Sequence, residues 1–269
     1  LHDRAALAGL AIIGGMALLA VFAPLVSRHD PLAQELVQRL KPPTGAHWFG
    51  TDNLGRDVFS RVLHGGRISL RVGFVSVAAG AFVGSLLGLI AGYAGRVADS
   101  VISRVMEIVL AFPSTLLAIA IVAARGPGIE NTMMAISAIS VPVYARLMRS
   151  SVLALKERDY VMAARCIGAS GGRILFGHIL PNGLSPLIVQ ATLGIATAII
   201  EAAALGFLGL GAQPPTPEWG LMLTDARNFL LNAPWAMIFP GGAIMVTVLG
   251  FNLFGDGLRD ALDPQMKQT

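Results

Sequence analysis

The stretch YVMAARCIGASGGRILFGHILPN, residues 160–182, decides how the rest of the chain is interpreted. It carries Arg165 and Arg173 and holds no apolar run of the roughly 20 residues that a membrane-crossing helix needs. Its apolar residues form a short stripe at helical spacing, and Gly168 interrupts that stripe. The pattern predicts two short amphipathic helices that meet at a glycine bend and end at Pro181.

The composition of the whole chain is that of an integral membrane protein. Of its 269 residues, 54% are hydrophobic and 13% are charged, whereas a soluble domain is about 25% charged. The net charge is +4, but the basic residues are scattered between apolar segments and form no basic face, so no nucleic-acid partner is predicted. Cys166 is the single cysteine and excludes an internal disulfide.

Six apolar segments flank the opening stretch, and they predict an all-α, polytopic membrane protein. The fourth is the weakest, because Arg146 and Arg149 must lie at its end. An even number of spans places both termini on the same side of the membrane. The predicted spans are residues 5–26, 69–93, 101–124, 131–152, 184–208 and 236–254.

The distribution of basic residues favours cytoplasmic termini. With that orientation 11 of the 20 Lys and Arg residues are inside, and seven of the other nine lie in the first loop. That loop has the composition of a folded segment, which the charge rule does not govern. We therefore expect both termini in the cytoplasm.

Two spans carry small residues at every fourth position. This spacing leaves one helix face bare, so that another helix can approach closely, and it predicts tight packing rather than a pathway. In addition, Pro113, Pro142, Pro186 and Pro240 each favour a kink or an end in their spans. The stripes are Gly80, Gly84, Gly88 and Gly92 in the second span, and Gly194, Ala198, Ala202 and Gly206 in the fifth.

Two carboxylates fall inside the spans, where an unpaired charge is costly. Glu107 follows Arg104 by three residues, which predicts an ion pair near the end of its helix. Glu201 has no sequence neighbour that could pair with it. Three interpretations stay open for Glu201: it lines a translocation path, it is protonated, or it bonds to a partner subunit.

Residues 49–73, FGTDNLGRDVFSRVLHGGRISLRVG, predict a helix that begins near Leu54 with Thr51, Asp52 and Asn53 as capping groups. Its alternation of apolar and charged residues predicts an amphipathic helix on the outer membrane surface. Asp52 and Asp57 are expected to act in capping and salt bridges rather than as metal ligands.

The proline-rich stretch AQPPTPEWG, residues 212–220, predicts an ordered outer loop, with Trp219 and Trp235 as aromatic anchors at the membrane interface. The five histidines have no metal-ligand spacing among themselves, so no metal site is predicted. A nucleotide-binding P-loop pattern is missing from the sequence, so we expect no cofactor on this chain. No catalytic residue is predicted.

The opening stretch resembles the EAA loop of ABC-importer permeases. Ala163, Ala164, Gly168, Leu180 and Pro181 stand at the positions of that motif, whereas Met162 replaces its glutamate and His178 its isoleucine. Two further stretches, residues 49–73 and 201–223, together with NLFGDGLRDALDP at 252–264, resemble the C-type permeases of dipeptide, oligopeptide and nickel importers. The dipeptide permeases are the most similar.

This resemblance implies a type I ABC-importer permease fold in the bacterial cytoplasmic (inner) membrane. It divides the chain into an N-terminal helix with an extracytoplasmic segment (1–68), a permease domain (69–260) with a coupling loop at 153–183, and a cytoplasmic tail (261–269). It implies contact with membrane lipid and four partners: a homologous second permease, two ATPase subunits that hold ATP and Mg, and an extracytoplasmic substrate-binding protein. The residues that it assigns to ATPase docking are Arg158, Tyr160, Met162, Ala163, Ala164, Arg165, Gly168, Ala169, Ser170, Leu180 and Pro181.

Several alternatives stay open at this point. Within the transporter class, the substrate could be an oligopeptide, glutathione or nickel instead of a dipeptide. From other classes, the chain could be an intramembrane enzyme that uses Glu107 or Glu201, or a channel-like or scaffold protein that needs no ATPase.

Overall fold

The computed structural model describes residues 4–262, and the regular secondary structure in them is helical, apart from one isolated bridge between Thr51 and Asp57. Most of the predicted tail, 263–269, lies outside the described residues. Short 3₁₀ turns occupy Leu36–Gln38 and Arg227–Phe229. The α-helices are α1 (Arg4–Val21), α2 (Ala23–Val26), α3 (Val58–Tyr93), α4 (Arg96–Leu110), α5 (Ser114–Arg125), α6 (Ile129–Leu155), α7 (Asp159–Cys166), α8 (Gly171–Ile174), α9 (Leu180–Phe207), α10 (Trp219–Ala226) and α11 (Trp235–Leu262).

Four helical segments in the described chain are long and apolar enough to cross a membrane: α1, α3, the run Gly171–Phe207 that contains α9, and α11. The bent pair of α4 and α5 makes a fifth if it is one span. By these criteria the structure gives four or five spans rather than six. The predicted fourth span, α6, has 27 residues, but its sequence is more polar than those of the spans named above. α3, α5 and α9 pack around it.

The third predicted span is not one helix. α4 and α5 meet at an angle of 89° across a break of three residues that ends at Pro113. Proline has no N–H to donate and disfavours helical geometry in the residue before it, here Phe112. The first predicted span is interrupted in the same way, since a turn at Phe22 separates α1 from α2.

The prediction of a surface helix that begins near Leu54 is wrong. Residues 52–56 form a turn, and the helix that follows is α3, which begins at Val58. Asp52 accepts hydrogen bonds from the backbone N–H groups of Leu54 and Arg56 at 2.8 and 2.9 Å, and so closes a turn instead of capping a helix. Asp57 is the true cap: its carboxylate accepts from the backbone N–H of Ser60 at 2.8 Å. The apolar residues that follow, beginning with Val58, are buried in the protein core.

The helices run between two sides of the molecule. On one side, residues 22–57 and 208–234 pack together, and we call them the cap layer. On the other side lies the connection between α6 and α9, at residues 156–170. α1 and α11 are antiparallel, because Gly9 lies against Phe254, whereas Met16 and Leu19 share a groove with Phe239. Both described ends of the chain therefore lie on the side of residues 156–170.

Trp219 holds the cap layer to the spans. Its side chain is fully buried, and its indole N–H donates to the carbonyl oxygen of Val62 at 2.9 Å. Trp219 is thus a core residue, and its predicted role as a lipid-interface anchor is wrong. Trp235 donates its indole N–H to the carbonyl oxygen of Thr51 at 3.1 Å. The two tryptophans join the cap layer to α3 and α11.

A buried ionic cluster also fixes the cap layer. The guanidinium of Arg56 bonds Asp52 at 2.6 Å and Asp225 at 3.0 Å, and Arg61 lies 3.6 Å from Asp52. The expected salt-bridge role of Asp52 is confirmed by these contacts. Since charges this deeply buried need partners, the cluster specifies how residues 52–61 meet α10.

Candidate functional site

The connection between α6 and α9 folds as a short helix, a glycine bend and a second short helix. α7 ends in a Schellman arrangement: the Gly168 N–H donates to the Arg165 carbonyl, and the Ala169 N–H to the Ala164 carbonyl, each at 3.0 Å. This arrangement needs a left-handed residue at Gly168, where φ is +83°. The Ser170 side chain then caps α8. The predicted glycine bend is thereby explained by one backbone conformation.

One face of α7 packs on the bundle and the other is exposed. Val161 and Ala164 are buried in the same core as Ile174. Tyr160 and Met162 are 42% and 45% exposed. The first residue beyond α7, Ile167, is 86% exposed.

The residues predicted to dock a partner therefore fall into two groups. Ala164 is buried and serves the fold of this chain, and Ala169 and Leu180 are half-buried. The exposed members are Arg158, Tyr160, Met162, Ala163, Arg165, Gly168, Ser170 and Pro181. Sequence analysis did not single out Ile167, which is one of the residues of the apolar stripe at helical spacing.

The predicted stop at Pro181 is wrong. A π-helical turn at Leu175–Ile179 joins α8 to α9, and Pro181 lies in the first turn of α9. Proline is compatible with the first turn of an α-helix, and here the π-helical turn directly precedes that turn. Residues Gly171–Phe207 therefore form one continuous helical segment of 37 residues.

A hydrogen bond ties the loop to a second span. The hydroxyl of Tyr93, the last residue of α3, donates to the carbonyl oxygen of Gly171 at 3.0 Å. The loop thus contacts the end of α3 as well as running into α9.

The glycine stripe of α3 lies against α6. A methyl group at Gly80 would come within 2.9 Å of the Ser137 carbonyl oxygen, and one at Gly84 within 2.5 Å of the Val141 carbonyl oxygen. Gly88 lies against Ala145, and Gly92 against Val152. α6 therefore approaches the bare face of α3 at backbone distance.

The small residues of α9 face two neighbours. Gly194 lies against the Tyr144 hydroxyl, and Gly206 lies against Glu218 and Gly220. Between them, Ala198 and Ala202 are buried.

The two carboxylates of the spans differ in their surroundings. Glu107 is exposed, and its carboxylate bonds the Arg104 guanidinium at 3.0 Å, which confirms the predicted pair. Glu201 is half-buried in α9, and within residues 4–262 no hydrogen bond or ion pair involves its side chain. It lies eleven residues, about three turns, after Gln190, so the two side chains project from the same face of α9.

Gln190 lines a cleft of about 750 Å³ between α6, α9 and the end of α11. The cleft lies toward the side of the 156–170 connection, because Leu155, the last residue of α6, is part of its wall. Its polar lining residues are Asn182, Ser185, Gln190 and Arg259. Sequence reasoning did not find this cleft, because its walls come from three helices far apart in the chain.

The cap layer contains a buried carboxylate at Glu218. It caps α10 through the N–H groups of Gly220 and Leu221, each at 2.9 Å, and accepts from the Ser69 hydroxyl at 3.0 Å. Burial raises the pKa of Glu218, and the three donors oppose that shift only in part.

Comparison with known proteins places this architecture in a family. Residues 84–268 match the family described as binding-protein-dependent transport system inner membrane component, and residues 1–43 match the N-terminal TM domain of oligopeptide transport permease C. The dipeptide transport system permease protein DppC of Alkalihalophilus pseudofirmus is 56% identical over 98% of this chain and 87% of its own. The di/tripeptide transport system permease protein DppC of Pseudomonas aeruginosa is 50% identical over 100% and 90%.

Another relative is named for a different substrate. The glutathione transport system permease protein GsiD of Pectobacterium atrosepticum is 52% identical over 84% of this chain and 75% of its own. Among solved structures, a chain of the MetNI methionine ABC transporter in an inward-facing conformation aligns with a TM-score of 0.64 at 19% identity, over 76% of this chain and 97% of that one. At this identity the likeness shows the fold alone. The chain is an inner-membrane, multi-pass permease with the type I ABC-importer fold, and it belongs to the binding-protein-dependent transport system inner membrane components.

Proposed function

We propose that this chain forms one half of the translocation path of a dipeptide importer, and that its loop at residues 153–183 carries the movement of an ATPase subunit into the spans. The dipeptide assignment is supported by relatives at 50–56% identity, which include permeases named for dipeptides and di/tripeptides. Glutathione is the named substrate of another relative, so it is the nearest competing assignment.

One observation carries the coupling role: only short connections join the exposed loop to α6 and α9. The 37-residue helical segment Gly171–Phe207 begins three residues after Gly168. On the other side, α7 begins four residues after the end of α6. A partner that moves the loop would therefore move α6 and α9 with it, whereas a flexible linker would absorb the displacement.

The exposed face of the loop has the chemistry of a docking surface. Tyr160, Met162 and Ile167 offer apolar area, and Arg158 and Arg165 flank it with positive charge. Apolar residues with an arginine rim are typical of protein interfaces. In the proposed assembly this face points to the cytoplasm, where an ATPase subunit holds ATP and Mg. A homologous permease completes the path, and a binding protein delivers the peptide on the other side.

Glu201 is proposed to line that path. Its carboxylate has no described partner in the chain and shares a face of α9 with the cleft residue Gln190. The free amine of a peptide is a fitting partner for a carboxylate in this position.

The experiment is transport by the reconstituted assembly with loop variants. Ile167→Ser removes the most exposed large apolar side chain of the loop. Gly168→Val replaces the glycine whose left-handed backbone forms the bend. We expect uptake of labelled dipeptide to fall at least about tenfold in both, while ATP hydrolysis no longer responds to the loaded binding protein. Labelled tripeptide, glutathione and nickel, tested in parallel, separate the substrate assignments.

Two matched variants control for general damage. Val97→Ser removes an apolar side chain that is 79% exposed just after α3 but outside the loop. Gly168→Asn places at the bend a residue that tolerates the left-handed backbone conformation. Both are expected to transport nearly as the wild type does. If Ile167→Ser and Gly168→Val also transport normally, the loop does not transmit the movement.

A further inference from the structure

Three side chains that are distant in the sequence meet at the boundary between the cap layer and α3. The Nδ1 atom of His47 lies 2.9 Å from Oδ1 of Asp57, and Nδ1 of His29 lies 3.8 Å from the same oxygen. The three potential ligand atoms all lie within 4.8 Å of one another. Asp57 is buried, and both histidines are half-buried.

The two separations from Asp57 are close to those of ligands around a small transition-metal ion. Bonds of about 2.0–2.1 Å in a tetrahedral arrangement place neighbouring ligand atoms about 3.3 Å apart. The His47–Asp57 and His29–Asp57 separations, 2.9 and 3.8 Å, lie on either side of that value. The two histidine nitrogens, which lie within 4.8 Å of each other, would have to approach by up to about 1.5 Å for all three atoms to share one coordination sphere.

The carboxylate is already oriented by the rest of the structure. Its second oxygen, Oδ2, accepts hydrogen bonds from the N–H and the hydroxyl of Ser60 at 2.8 and 2.7 Å. Oδ1 is left to face the two imidazoles. A ligand that is held by a separate hydrogen-bonding shell is the usual arrangement at protein metal sites.

The two histidines are held together as well. Their rings lie 4.6 Å apart at an angle of 31°. The residues next to them in sequence also interact, because the Arg28 guanidinium lies over the Trp48 ring at 4.2 Å from its centroid. This cation–π contact holds together the two loop segments that carry His29 and His47.

We propose that His29, His47 and Asp57 bind a Zn²⁺ ion with a water molecule in the fourth position. Two imidazole nitrogens and one carboxylate suit zinc, whereas calcium and magnesium prefer sites built of oxygen. The ion would link the long loop at residues 27–57 to the first turn of α3, and it would neutralise the buried charge of Asp57. The proposal rests on this geometry alone and is independent of the transported substrate.

The test uses the full chain in its assembled complex, purified through an affinity tag that binds no metal and stripped with a chelator. Co²⁺ serves as a spectroscopic probe because its visible absorption is strong in tetrahedral sites, and Zn²⁺ is then added to displace it. We expect one Co²⁺ per chain with a tetrahedral spectrum that zinc abolishes. His29→Gln and His47→Gln should each weaken binding at least about tenfold.

The control is His64→Gln, which removes a nearby histidine outside the cluster, whose ring nitrogen lies 2.9 Å from the Ser60 carbonyl oxygen. It should bind metal as the wild type does. Asp57 is left unchanged because it caps α3, so its loss would damage folding for another reason. Elution as a single species in size exclusion shows that each variant is folded.

Thermal unfolding gives a second readout that does not depend on transport. Zinc should raise the melting temperature of the wild type and of His64→Gln, but not that of His29→Gln. The proposal is overturned if the stripped wild type binds no Co²⁺, or if His29→Gln and His47→Gln bind it as tightly as the control does. In either outcome the cluster is a hydrogen-bonded contact without a metal.

Discussion

Asp99 and Arg149 form a two-point ion pair that ties α4 to α6. Nη2 of Arg149 lies 2.7 Å from Oδ2 of Asp99, and Nε of Arg149 contacts the other carboxylate oxygen. The two residues are 50 positions apart, and both side chains are partly shielded from solvent. The planar guanidinium and the carboxylate are matched in shape, so the pair fixes both the distance and the orientation of the two helices.

The first prediction is that this pair stabilises the fold more than a surface pair does. A double-mutant cycle with Asp99→Ala and Arg149→Ala should give a coupling energy of about 1–2 kcal/mol, measured by unfolding of the purified chain in detergent. The same cycle on Arg104 and Glu107, whose side chains are 77% and 58% exposed, should give less than about 0.5 kcal/mol. Equal coupling in the two cycles would show that the Asp99 pair has no special role.

The second prediction concerns the approach of α6 to α3. Gly84→Ala should destabilise the chain by about 1–3 kcal/mol, because its methyl group would lie 2.5 Å from a backbone oxygen that cannot move away easily. Gly15→Ala in α1 is the matched control, since nothing lies within 4 Å of a methyl group there. The control should be neutral or slightly stabilising. Melting temperatures in detergent report both changes, and an unaffected Gly84→Ala would mean that the helices can separate without cost.

The third prediction follows from the raised pKa of Glu218. A carboxyl group with a raised pKa holds its proton more tightly in the folded chain than in the unfolded chain. Stability should therefore fall as the pH rises from about 4.5 through the raised pKa, and this slope should end above it. Glu218→Gln should remove that part of the slope.

Melting temperatures between about pH 4.5 and about pH 7.5 give the Glu218 measurement. Glu130→Gln is the control, because it makes the same substitution at a carboxylate side chain that is 78% exposed. The prediction is contradicted if the stability of the wild type and that of Glu218→Gln change with pH in the same way over this range.

The fourth prediction addresses Glu201. Glu201→Gln should weaken the apparent affinity for a dipeptide with a free amine about tenfold or more, and have little effect on a peptide whose amine is acetylated. Glu107→Gln, which alters a carboxylate already paired on the helix surface, should leave both affinities unchanged. The path role is excluded if Glu201→Gln transports both peptides as the wild type does.

The sequence predicted what depends on local pattern. Four predicted apolar segments each fall on one helix, and the first and third each fall on a pair, α1 with α2 and α4 with α5. Spacing alone marked the glycine stripe and the bend at Gly168. A break at Pro113 was also predictable, but its 89° angle was not, because the angle depends on what α4 and α5 pack against.

Predictions from the sequence failed where two residues could fill the same role, and where contacts between distant residues decide the structure. Asp52 and Asp57 are both good helix caps, and only the turn closed by Arg56 shows that the helix begins after the second. Trp219 has the sequence context of an interface residue, yet it is buried by a contact with Val62, 157 positions earlier. His29 and His47 carry no spacing signal, because the fold of the loop, and not a helix or a hairpin, brings them to Asp57.

The length of α3 has a mechanical consequence. Its 36 unbroken residues extend about 54 Å, far more than the roughly 30 Å of hydrocarbon. One end is anchored at Asp57 in the cap layer, and the other end bonds Gly171 through Tyr93. α3 is thus one continuous helix that is attached at both ends. A change of about 10° in its tilt would displace one end relative to the other by about 9 Å.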